Sequence, residues 1–152
     1  MLSLQQQYAT KSICYGCGPA NEQGFQLASF VEGDHVIARF TPQPWHHAFP
    51  NVVCGGVIGT VLDCHLNWTA AWFLMQHQQL TAPPCTVTAE YQVALKRPTP
   101  MNTELLLSAA LISIDGNRAT TTATLMANDK ICATGQGVFV AVNEQHPAFH
   151  RW

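Results

Sequence analysis

Cys54-Gly55-Gly56 opens a long apolar run, and Asp63 is the one carboxylate inside that run. Glycines let a backbone approach a ligand closely, and a helix N-terminus presents N–H groups that lack intrahelical acceptors and favour negative charge. An acid on the same face then acts on whatever those amides hold. Residues of these types in this order point to a site that polarises a carbonyl and attacks it, or attacks it with water. At about 100° per residue, Gly56, Thr60, Asp63, Asn67 and Ala70 share one narrow stripe. Ile58, Val61, Leu62, His65, Trp68, Thr69, Trp72 and Phe73 form a broad face opposite. The broad face is expected to pack on a sheet, and the small polar stripe to leave room for a ligand or a partner subunit.

The elements that must position this stripe follow from hydrophobic period and turn chemistry. The pattern predicts one helix from about Gly55 to about Met75, ended before Pro83-Pro84, which cannot continue it. Residues 1–13 read as a helical or loose lead-in, and Cys14 to Asn21 as turns. Gln26–Val31 and His35–Phe40 flank Glu32-Gly33-Asp34, a hairpin signal. Thr41 to Pro50 is a loop. Thr86–Leu95 alternates, with Val87, Ala89, Tyr91, Val93 and Leu95 on one side and Thr86, Thr88, Glu90 and Gln92 on the other. Glu104–Ile114 is apolar on both faces, which suits a strand covered on both sides. Turns at Asp115-Gly116-Asn117 and Asn128-Asp129-Lys130 lead into Arg118–Ala127 and a last strand reaching Val142. The tail after Asn143 is expected to be loose. The fold class is therefore α+β, a mostly antiparallel sheet curled around one long helix.

Composition bounds the rest. The chain has 152 residues, enough for one domain, 1–152, with its own core. Charged residues make up only 11% against a usual roughly 25%, which favours an oligomer that hides surface. Net charge is −2 and the basic residues are scattered, so nucleic acid is not an expected partner. An acid in the middle of the apolar run disfavours a membrane span. The six cysteines are expected to be reduced, in a cytoplasmic protein, because a chain of this size has no need of disulfide staples.

Other candidate residues divide between chemistry and packing. His65 lies about 200° from Asp63 on the helix, so the two do not meet within one chain, and His65 is expected in the core. Cys64 reads as a small buried hydrophobe and Cys54 as a packing residue beside the helix N-terminus. Asn67 either orients the acid or fills an interface, and Thr60 divides the same way. Cys14-x-x-Cys17 supplies half of a zinc site, but no second Cys-x-x-Cys exists, so a tight turn without metal is expected. His46 and His47 are expected to line the loop over the site entrance, again without metal. Lys96-Arg97 is the one adjacent basic pair, suited to phosphates or else a solvated turn.

These motifs together resemble the hotdog-fold acyl-CoA thioesterases, in particular the phenylacetyl-CoA thioesterase-like branch. Cys14-Tyr15-Gly16-Cys17-Gly18-Pro19-Ala20-Asn21 with Gly24 is similar to the Cys-x-Gly-Cys-Gly-x-x-Asn opening of many such proteins. Gly55-Gly56 followed by Leu62-Asp63 is similar to the glycine pair and helix carboxylate of the branch, and Leu95 with Arg97-Pro98 to its strand exit. The resemblance spans about residues 14–142. Cys54 departs from it, since many relatives carry His there.

The resemblance implies a hotdog fold and a homodimer, or dimer of dimers, whose sheets join side by side with active sites at the interface. It implies an acyl-CoA substrate, Asp63 as general base or nucleophile, and an amide near Gly56 polarising the carbonyl. Gly55, Thr60, Asn67, His46, His47, Lys96 and Arg97 are the expected substrate-binding residues. Coenzyme A enters as part of the substrate, and no cofactor is expected. A non-catalytic acyl-CoA-binding protein and a hydratase or dehydratase acting through His65 are the competing readings. A thioester panel and water addition to an enoyl substrate separate the three.

Overall fold

The structure, a computed structural model, describes residues 1–150. After a short helix α1 (Leu4–Tyr8), strands β1 (Ser29–Glu32) and β2 (His35–Phe40) form the first hairpin. Gly33 turns it with φ +63°, a left-handed conformation that costs glycine little. Two short strands pair before the helix, β3 (His47–Phe49) inside the segment Thr41 to Pro50 expected to be loop and β4 (Val52–Val53) just after it. Helix α2 (Gly55–His77) follows, then β5 (Thr86–Leu95), β6 (Leu105–Asp115), β7 (Arg118–Ala127) and β8 (Lys130–Ala141). Gly116, Asn128 and Asp129 all have positive φ in the β6–β7 and β7–β8 turns, which matches the right-handed twist of the hairpins they close.

The six long strands make one antiparallel sheet in the order β1-β2-β6-β7-β8-β5. Helix α2 touches β2, β5, β6, β7 and β8, so the sheet curls around it. The core between them is Ile58, Val61, Leu62 and Leu66 of the helix against Val36, Leu105, Leu107, Leu125 and Phe139 of the strands, all buried. Gly135 marks the closest approach: a Cβ there would sit 3.3 Å from Leu66 Cδ1.

Four expectations are corrected. First, β5 does not alternate throughout. Thr88 pairs with Phe139 and Glu90 with the adjacent Val138, so Ala89 is the extra residue of a β-bulge. The bulge puts Thr88 on the same side as Tyr91 and Leu95, all three facing α2. Second, Trp68 does not simply face the sheet; its indole N–H donates to Cys17 Sγ at 3.3 Å, and Ala70, placed on the open stripe, is fully buried. Third, the outer side of β6 is not covered within the chain, and Ile112 is exposed. Fourth, the tail after Asn143 is not loose over residues 144–150: His146 N–H donates to Asn143 O, Phe149 N–H to His146 O, and the His150 ring lies 3.3 Å from Cys85 Sγ. Residues 151–152 of that tail lie outside the described residues.

Gln5, Ser29 and His65, buried beside the helix, are paired in a chain running from the N-terminus. Gln5 Nε2 donates to Ser29 Oγ and Ser29 N–H donates to Gln5 Oε1. His65 Nε2 lies 2.8 Å from Val36 O, and a carbonyl only accepts, so Nε2 carries the proton. Nδ1 is then bare and accepts from Ser29 Oγ at 2.9 Å. The network satisfies a fully buried histidine in its neutral form and ties α1, β1, β2 and α2 together.

Candidate active site

Cys54 caps α2 with extended backbone (φ −60°, ψ 133°) and makes no side-chain cap bond. Its carbonyl accepts from Val57 and Ile58, and its own N–H donates to His46 O. The Gly55 and Gly56 N–H groups find no acceptor among the described residues. They therefore form the donor pair that the sequence places at the start of the helix. No side chain can be added at Gly55 without crowding Leu95, whose Cδ1 lies 3.3 Å from the position a Cβ would take.

Asp63 is half-buried two turns further along. Thr88 Oγ1 donates to its Oδ1 at 2.8 Å. Burial pushes the carboxyl above its ordinary value, and the Thr88 hydroxyl opposes that by stabilising the carboxylate. Thr88 was missed in the sequence because strict alternation points it away from Tyr91; only the bulge brings it round. Gly55 packs by Leu95, Gly59 by Tyr91 and Asp63 by Thr88, so α2 and β5 run antiparallel and in step. β5 is an edge of the sheet, with Tyr91 43% and Leu95 59% exposed.

The same geometry separates the amides from the acid within one chain. Seven residues at 1.5 Å each put Gly56 and Asp63 about 10 Å apart along the axis. First-turn N–H groups point away from the helix body, so an oxygen they hold lies farther still from Asp63 of the same chain.

The remaining candidates are placed as follows. Thr60 Oγ1 donates to Gly56 O at 2.9 Å, one turn back in its own helix. Asn67 Oδ1 is buried without a hydrogen-bond partner, beside a cavity of about 160 Å³. His46 is buried among Phe25, Phe40 and Trp45, and its Nδ1 accepts from Gln43 N–H. Burial holds its pKa below the ordinary imidazole value. Its side chain plugs the loop that its backbone fastens to Cys54, whereas His47 on β3 is exposed. Lys96 and Arg97 are exposed at the end of β5 that lies by the start of α2, their N–H groups anchored on Cys132 O.

The fold also gathers three cysteines. Cys14 and Cys17 of the turn segment meet Cys64 of α2, with all three sulfurs within 4.8 Å of one another. Cys14 is held far below the ordinary thiol range, chiefly by the Cys17 thiol and next by the Cys64 thiol. Cys17 and Cys64 are pushed up, chiefly by their hydrogen bonds to Cys14. The sequence offered Cys14 and Cys17 as a pair; the third member, fifty residues away, carried no local signal.

One central helix held in a curled, six-stranded antiparallel sheet is the hotdog fold. A thioesterase superfamily protein from Shewanella loihica PV-4 is 30% identical, with a TM-score of 0.67 over 82% of this chain and 98% of that one. The chain belongs to the thioesterase superfamily. Two more distant structures share the fold. The Escherichia coli PaaI protein of the phenylacetic acid degradation operon is 10% identical, with a TM-score of 0.66 over 78% of this chain and 81% of that one. The smu.793 protein of Streptococcus mutans UA159, solved bound to acetyl-CoA, is 12% identical, with a TM-score of 0.64 over 79% and 91%. No family model and no curated protein sequence matches the chain. Among the described residues, no helix is long and apolar enough to cross a membrane.

Proposed function

We propose that the chain is an acyl-CoA thioesterase whose active site assembles between two copies. The observation that carries this reading is the pair of unpartnered Gly55 and Gly56 amides at a helix N-terminus that lies along an exposed edge strand. The thioester oxygen sits on those amides, which stabilise the oxyanion as it forms. Asp63 of the other copy takes a proton from water as the water oxygen bonds to the carbonyl carbon. Collapse of the tetrahedral intermediate breaks the C–S bond, and the departing coenzyme A thiolate recovers the proton. Direct attack by the carboxylate, through an anhydride that water then opens, uses the same geometry.

The step between α2 and β5 supports this assembly. If two copies pair antiparallel along β5 with the two-fold axis at Gln92, and Ala89 stays bulged out of the ladder, Leu95 of one lies opposite Thr88 of the other. Gly55 and Gly56 then face Asp63 across the axis, which no single chain achieves. Lys96 and Arg97 lie at the amide end, where they suit coenzyme A phosphates. The hydratase reading loses support from His65, whose two ring nitrogens are both engaged in the core.

The test is Asp63→Asn assayed on a panel of acyl-CoA thioesters. The change keeps shape and removes the base, so kcat should fall at least about 10²-fold with KM little altered. Wild-type turnover in folded Asp63→Asn would overturn the assignment, and a wild-type protein that binds the panel without hydrolysing it would leave a binding protein.

A further inference from the structure

Cys14, Cys17 and Cys64 form a thiol cluster that the hydrolytic reading leaves unused. The turn segment is pressed onto the helix there. A Cβ on Gly16 would collide with Cys64 Sγ, and one on Gly18 with the Cys14 backbone. Two glycines therefore let residues 14–18 close over Cys64, with Gly18 N–H donating to Cys14 O at 2.8 Å. All the described cysteines are free thiols.

The spacing is that of ligands rather than of a disulfide. Zn–S bonds of about 2.3 Å at tetrahedral angles set sulfurs about 3.8 Å apart. Cys14 Sγ and Cys64 Sγ are 3.8 Å apart. A second observation concerns the space beside the cluster. The cavity of about 160 Å³ is lined by Cys14, Cys17 and Asn67, and Asn67 Oδ1 is a buried acceptor with no donor. A metal-bound water supplies such a donor.

We propose that Cys14, Cys17 and Cys64 bind one zinc ion per chain through their sulfurs, with a water in the fourth position donating to Asn67 Oδ1. Binding replaces the thiol protons, which pass to solvent, so affinity rises with pH. The metal fastens the turn segment to α2 one residue from Asp63. Zinc would be held there whether or not the chain hydrolyses thioesters.

Elemental analysis and cobalt substitution test it without any activity measurement. Reduced protein stripped with chelator and titrated with zinc should take up one ion per chain. The cobalt form should show intense thiolate-to-metal charge transfer and tetrahedral ligand-field bands, and X-ray absorption of the zinc form should count three sulfurs and one oxygen. Cys64→Ser should weaken zinc binding at least about 10²-fold, beyond what loss of an outer-shell partner costs, while Cys54→Ser keeps it. If Cys64→Ser fails to fold, the sulfur count on the wild-type protein decides. Absence of stoichiometric zinc uptake, a sulfur count below three, or unchanged binding in folded Cys64→Ser would overturn the proposal.

Discussion

Two side chains two positions apart on α2 lead opposite lives. Asp63 looks outward to the edge strand with one hydroxyl partner, and its burial is partial. His65 looks inward, fully buried and held neutral, its pKa pushed down to about 4 chiefly by burial. The sequence already separated them by angle, because 200° of helix rotation is a property of spacing alone. It could not supply Thr88, Ser29 or Val36, since those partners depend on register between distant segments. His65 and His46 also set a pH dependence. Both are depressed in the folded protein, so both are neutral in either state above about pH 6.5 and stability there is unaffected. As pH falls below about 6.5, the unfolded chain takes up protons that the folded one refuses. For His65 the loss reaches about 3 kcal/mol by pH 4. Urea midpoints should decline from pH 7 to pH 4; a flat profile would show that the imidazoles are open to water.

At the scale of elements, α2 and the strands from β5 onward were legible because their periods and turn residues are strong. Thr86–Leu95 and Arg118–Ala127 have the bounds that their alternation and turns predict. The bulge at Ala89 was not legible, because alanine is neutral to either face and nothing around it breaks the pattern. Nor were β3 and β4, too short for any period to register. The end of β5 carries a prediction of its own. Lys96 and Arg97 sit beside the start of α2 with their side chains exposed. Replacing both with alanine should raise KM for a coenzyme A thioester about ten-fold, the size of a charged hydrogen bond. KM for a short pantetheine thioester should barely change. Equal effects on the two substrates would remove the phosphate role.

For the whole molecule, the low charge and the uncovered outer side of β6 fit a chain that does not end at its own surface. Light scattering should give at least twice the 16.7 kDa chain mass. Complementation between dead variants is a sharper measure. Gly56→Pro removes one amide donor at a helix position that tolerates proline. Mixed with Asp63→Asn after unfolding and refolding together, random pairing gives heterodimers in half the population, each with one intact site. About a quarter of wild-type turnover should return, as two-fold symmetry requires of a shared site. No recovery, with exchange of chains verified, would place the amides and the acid in one chain.

The extra residue at Ala89 changes what the chain can lose. In a regular strand, deleting one residue inverts every side chain beyond it. In β5 a deletion can be absorbed by straightening the bulge, so the surplus residue acts as a spare letter in the reading frame. Removing Ala89 leaves Thr88 and Tyr91 both facing α2, and turnover should stay within about ten-fold of wild type, since no reacting group is lost. Removing Val87 instead also straightens the strand and keeps Tyr91, Val93 and Leu95 inward, but turns Thr88 out. Both deletions should fold, with similar circular dichroism and similar denaturation midpoints, while the second alone takes the hydroxyl from Asp63 and loses most of its turnover. If both are equally active, Thr88 does nothing for the acid; if neither folds, the bulge holds the edge strand itself in place.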